Sequence, residues 1–121
     1  MIALGPRRLW LYGAAVDMRK GIDGLSALVT NHLGREVMTG DVFLFVGQDP
    51  SRLKLLCWDR DGFWLATKRL SQGRFQVPRG ADSQGRPAAI ELTVSEWQLI
   101  LDGIVVRNRL VLPRLGRGPG G

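Results

Sequence analysis

The segment RLKLLCWDRDGFWLATKRL, residues 52–70, holds two apolar runs of strand length around Asp59-Arg60-Asp61-Gly62. An Asp-Gly pair between such runs is a strong hairpin signal, because both residues tolerate the backbone conformations of a tight turn. Side chains alternate along a strand, so Arg52, Lys54, Leu56 and Trp58 share one face while Leu53, Leu55 and Cys57 take the other. That alternation predicts a sheet with one apolar side and one basic side. Downstream, Ser71-Gln72-Gly73 reads as a second turn leading to a strand RFQV, residues 74–77. Upstream, VFLFV, residues 42–46, is apolar on both faces between turn formers and reads as a central strand buried on both sides. An antiparallel meander results. The expected class is α+β, with an antiparallel sheet of about four to six strands, and the short turns between its central strands leave no room for parallel crossovers.

Further out, RLWLY, residues 8–12, reads as a first strand ending at Gly13. Ile22, Leu25, Leu28, Val29 and Leu33 recur at helical steps before Gly34, which predicts a helix over about 22–33 with Asp17 in a turn ahead of it. Gly21 and Gly24 weaken a helix interior, so the start falls near Ile22. Residues 79–88 are rich in turn formers and form a loop, and AIEL, residues 89–92, is a plausible edge strand. Thr93-Val94-Ser95-Glu96 matches a reciprocal capping box, opening a second helix over about 94–103 with Trp97, Ile100, Leu101 and Ile104 on its apolar face. A single domain over 1–106 is expected, followed by a basic, Gly/Pro-rich, disordered tail over 107–121.

The chain has 121 residues, with 45% hydrophobic and 23% charged, which fits one globular domain and excludes a disordered or collagen-like chain. One cysteine, Cys57, permits neither an internal disulfide nor a cysteine zinc site, and His32 is the single histidine. A soluble, unexported protein of the reducing cytoplasm is expected. The net charge is +6, and it is localised. Residues 52–79 hold seven basic and two acidic residues, and 107–117 hold four basic and none acidic, so the rest of the chain is net negative. Fourteen of the seventeen cations are arginines, which can grip a phosphate with two bonds or stack on a base, although a GC-rich genome also favours arginine codons.

Candidate DNA contacts follow from that distribution. Arg52, Lys54, Lys68, Arg69 and Arg74 surround Trp58 and Trp64 in the meander, a plausible platform for phosphates with two stacking rings. Tryptophans at a hairpin tip also commonly close the end of a core. Arg19 and Lys20 precede the first helix, where cations are unfavourable unless an anion meets them. That anion is either a DNA phosphate or a carboxylate of the fold, Asp17 or Asp23. Catalysis finds little support. Asp59 and Asp61 sit in a tight turn without Glu or His partners, and neither a serine nor a cysteine nucleophile has a base nearby. No catalytic residue, metal ligand or cofactor is assigned.

Two blocks stand out together: Asp17-Met18-Arg19-Lys20-Gly21-Ile22-Asp23-Gly24-Leu25, and residues 52–63 continuing to Lys68-Arg69-Leu70 and Gly73-Arg74-Phe75. In this order they closely resemble the TnpB accessory proteins of the bacterial insertion-sequence family numbered 66, over about residues 5–105. Cys57 departs from a position that is usually bulky and apolar, and residues 79–90 form a longer segment than usual. The resemblance implies a role in transposition beside a separate, larger transposase that carries the catalysis, and it brings no catalytic residues with it. Two readings stay open: a DNA-binding accessory factor acting at element ends, or a subunit that contacts the transposase and other proteins of the element and meets DNA only through them.

Overall fold

Strand-forming runs with no polar position have to be covered on both sides, and that requirement governs the sheet. A computed structural model describes residues 7–103. Its strands are β1 (Leu9–Tyr12), β2 (Val42–Val46), β3 (Arg52–Asp59), β4 (Gly62–Arg69) and β5 (Ala89–Leu92), joined in the order β4-β3-β2-β1-β5. Two helices complete the α+β fold: α1 (Ile22–Leu28), which widens into a π-helical turn over Val29–Leu33, and α2 (Val94–Leu101). Every residue of β1 and β2 is buried.

One face carries Leu9, Leu11, Val42, Leu44, Val46, Leu53, Leu55 and Cys57, under Trp97 and Ile100 of α2 and the loop residue Phe75. The other carries Trp10, Tyr12, Phe43, Phe45 and Leu56, under Leu25 and Val29 of the first helical segment. The expectation of one apolar and one basic side is therefore corrected. Leu56 stands on the supposedly basic side of β3 and is fully buried.

Strands β2, β3 and β4 form the expected meander, and β3 and β4 pair from Arg52↔Arg69 to Asp59↔Gly62 around a tight turn in which Arg60 is left-handed (φ 60°). The sheet is mixed, however: β1 pairs parallel with β2 and antiparallel with β5. Short turns exclude a crossover among the central strands, but the link from β1 to β2 contains α1 and is long enough for one. A second correction concerns RFQV, which joins no strand. Gly73, at φ +83°, turns the chain beneath the sheet, and Phe75 enters the core at 3% exposure with its N–H donating to the Pro50 carbonyl. Burial of the ring satisfies the apolar signal without a ladder.

The local expectations for the helices hold. α1 begins at Ile22, Gly34 ends its π-helical turn in the left-handed region (φ 63°), and AIEL forms the edge strand β5. At α2 the Thr93 hydroxyl accepts from the Glu96 N–H at 3.1 Å while the Glu96 carboxylate accepts from the Thr93 N–H at 2.8 Å. Ile104 and the tail over 107–121 lie outside the described residues.

Candidate nucleic-acid interface

The parallel pairing of β1 and β2 continues one step past both strands, and this step builds the corner where the basic residues collect. Val16 bridges Gly47, with the Val16 N–H donating to the Val46 carbonyl and the Gln48 N–H donating to the Val16 carbonyl. Gly47 permits the approach, because a Cβ there would stand 2.6 Å from Met18 and 2.7 Å from the Asp49 carbonyl oxygen. The loop carrying Asp17, Arg19 and Lys20 is thereby laid beside the loop that enters β3. Lys54 ties the two together, its Nζ donating to the Lys20 carbonyl at 2.8 Å.

At this corner Arg52 and Arg69 are direct cross-strand neighbours, both exposed. Like charges directly opposed on a sheet repel. Asp49 is the nearest compensation: hydrogen bonds from the Ser51 N–H and hydroxyl hold its carboxyl below the usual range, with the charges of Arg52 and Arg69 adding to the effect. Among the described residues, neither Arg52 nor Arg69 has an ion-pair partner within 4.0 Å.

Arg19 meets an internal carboxylate. Its Nη2 lies 2.7 Å from Asp17 Oδ2, and its Nε and backbone N–H both donate to Asp17 Oδ1. These bonds hold the Asp17 carboxyl far below the ordinary carboxylate range. Of the two carboxylates foreseen as partners, Asp17 is the one used. The Arg19 side chain is nevertheless 92% exposed, so one side of its guanidinium still faces solvent.

The remaining candidates scatter. Lys68 and Trp64 point to the opposite face of β4 from Arg69, and Lys68 Nζ donates to the Leu101 carbonyl at the end of α2. Trp64 is 48% exposed, with its indole N–H donating to Asp59 at 3.0 Å. Trp58 is half-buried and packs edge-on against Phe63, ring centroids 5.1 Å apart, and Phe63 in turn packs against the second core layer. Arg74 is exposed in the segment that passes beneath the sheet. The structure thus groups Arg19, Lys20, Arg52, Lys54 and Arg69 and separates them from Lys68, Arg74 and the two tryptophans.

Other arginines, unassigned from sequence, have structural duties. Arg35 and Arg8 stack on the ring of Trp10, at 3.6 and 4.5 Å from its centroid, and Arg8 makes a two-pronged ion pair with Glu91. Arg7 donates to the sulfur of Cys57 at 2.8 Å and approaches Asp59 at 3.8 Å. Burial pushes the Cys57 thiol up against the opposing pull of Arg7. The signal for these roles lay in Arg7-Arg8-Leu9-Trp10, a basic pair entering a buried strand. Among the described residues no group of three or more His, Cys, Asp or Glu side chains is placed to hold a metal ion, and no helix is long and apolar enough to cross a membrane.

Comparison with known proteins agrees with the blocks that meet at this corner. The family described as IS66 Orf2-like protein matches residues 7–110. Two relatives from Sinorhizobium fredii, the uncharacterized proteins y4jC and y4hO, are 33% and 34% identical over 104 and 101 residues. The first alignment covers 84% of this chain and 85% of y4jC, the second 84% of each protein. No solved structure matches. With the match spanning all the described strands and helices, the chain belongs to the IS66 Orf2-like family of insertion-sequence accessory proteins.

Proposed function

We propose that this chain is a non-catalytic accessory factor of insertion-sequence transposition that binds DNA through its basic corner and assists a separate transposase in the cytoplasm. The observation that carries the reading is the Arg52–Arg69 pair, two exposed guanidiniums opposed across β3 and β4 without an ion-pair partner among the described residues. An anion bridging them relieves their repulsion. A DNA phosphate suits the geometry of two guanidiniums, and Lys20, Lys54 and the open side of Arg19 extend the cationic track over neighbouring phosphates. Such contacts position a protein on DNA without reading bases, so the corner accounts for affinity, and sequence choice belongs elsewhere in the complex.

The test is binding of the purified protein to duplexes from the element ends across a range of salt. Replacing Arg52, Lys54 and Arg69 together by alanine removes up to three phosphate contacts, which should lower the slope of log affinity against log salt by about 0.9 per contact. Folding should be retained, because Arg52 and Arg69 are exposed and the stem of Lys54 lies at the rim of the core. Unchanged affinity and slope in a folded variant would shift the function to the alternative, a subunit that contacts the transposase and reaches DNA only through it.

A further inference from the structure

The order of the sheet leaves β4 at an edge, and its pairing with β3 determines which backbone groups that edge presents. The Leu70 N–H donates to the Ser51 carbonyl, so in this register Trp64, Ala66 and Lys68 bond inward to β3. Phe63, Leu65, Thr67 and Arg69 turn their N–H and C=O groups outward. Natural sheets blunt such an edge with charge, proline, a bulge or a covering segment. Lys68 and Arg69 charge one end, but Phe63-Trp64-Leu65-Ala66-Thr67 contains neither charge nor proline. Among the described residues no strand pairs with this side.

We propose that this edge pairs antiparallel with the same edge of a second copy, joining two five-stranded sheets into one. Outward-facing residues must meet outward-facing residues, which restricts the register to steps of two. With Leu65 opposite its own counterpart, Phe63 faces Thr67 of the second copy and Asp61, in the turn, faces Arg69. The twofold axis repeats that ion pair at the other end. Trp64 then lies across from Ala66 of the second copy, which covers part of an exposed ring. Shifting one step brings Phe63 opposite Arg69 and leaves it no carboxylate; shifting the other way sets Arg60 against Lys68 and moves Arg69 past Asp61 towards Asp59, which lies back on β3 beside Gly62 and already accepts from the Trp64 indole. The charges therefore select one register and one orientation, a role exposed ion pairs fill better than that of supplying affinity. A strand pair of this length is smaller than a standard stable interface, so association should fall in the micromolar range. The axis also keeps Arg52 and Lys54 of both copies on one face of the joined sheet, although the inference stands without DNA binding.

The experiment is sedimentation of the full chain from about 1 µM to 1 mM, the concentration range over which weak complexes form. Wild type should shift from monomer to dimer. Asp61→Lys and Arg69→Glu should each weaken the dimer about tenfold or more by opposing like charges, and the double variant should restore it. Thr67→Pro provides a second route, since the Thr67 N–H faces outward and its loss leaves the β3 ladder intact; it should abolish the dimer. The proposal is overturned by a monomer at every concentration, or by a dimer indifferent to all four variants. It is equally overturned if the Leu65 and Thr67 amides are protected from hydrogen exchange in the dilute monomer, because the chain's own residues would then cover the edge.

Discussion

Asp17 shows how far single residues could be read. A cation pair ahead of a helix calls for an anion, and that logic correctly required a partner for Arg19. The choice between carboxylate and phosphate depended on the fold of the loop, which is fixed by the bridge between Val16, past the end of β1, and Gly47, past the end of β2. The consequence can be measured through pH. The Asp17 carboxyl is held below its unfolded value, so its stabilising effect is fully present above about pH 4 and is lost as the pH falls through and below that point. Arg19→Ala should therefore lower the melting temperature slightly at neutral pH, and the difference from wild type should shrink steadily in scans taken from pH 5 to pH 2. A constant difference across that range would assign the effect to lost packing. The other candidate cations illustrate the opposite case: alternation along β3 correctly placed Arg52 and Lys54 on one face. It could not show that Leu56 between them and Trp58 is sealed by α1, since coverage of a face is a property of distant residues.

Among the elements, those with local signals were legible to within a residue or two. The Asp-Gly turn, the Thr93/Glu96 box and the Gly34 stop each depend on backbone chemistry over four or five residues, and each is found where the pattern puts it. The parallel β1–β2 pair and the fate of RFQV were not legible, because both depend on what lies across the sheet rather than along the chain. These two classes should respond differently to mutation. Thr93→Ala removes one cap acceptor and should cost about 1 kcal/mol in urea unfolding. Phe75→Ala, in a segment with no ladder of its own, should cost about 3–5 kcal/mol because a buried ring leaves a cavity under the sheet. Comparable losses in the two variants would mean that Phe75 contributes little to the core despite its burial.

At the scale of the molecule, the charge is asymmetric by location: Arg19, Lys20, Arg52, Lys54 and Arg69 gather at one corner, while Arg7, Arg8, Arg19 and Arg86 each meet a carboxylate and several other carboxylates are held in turns. This arrangement gives one small domain two surfaces that meet at Arg69: a second copy joined at β4 would engage that side chain and leave Arg19, Lys20, Arg52 and Lys54 open on the corner face. The position of β1 has a further consequence, in time rather than space. It is among the first strands to be synthesised, yet its ladder partners are β2, across a helix, and β5, near the far end of the described chain. Strands β2 to β4 can close through short turns as soon as they are made, whereas β1 has to wait for the ribosome to deliver residues 89–92 before both of its edges are occupied. Nascent chains stalled with β5 still inside the exit tunnel should be digested readily by protease near Leu9–Tyr12, and resistance there should appear only once β5 has emerged. Until then a fully apolar strand is exposed in the growing chain, so the interval between making β1 and making β5 is when this protein most needs a chaperone.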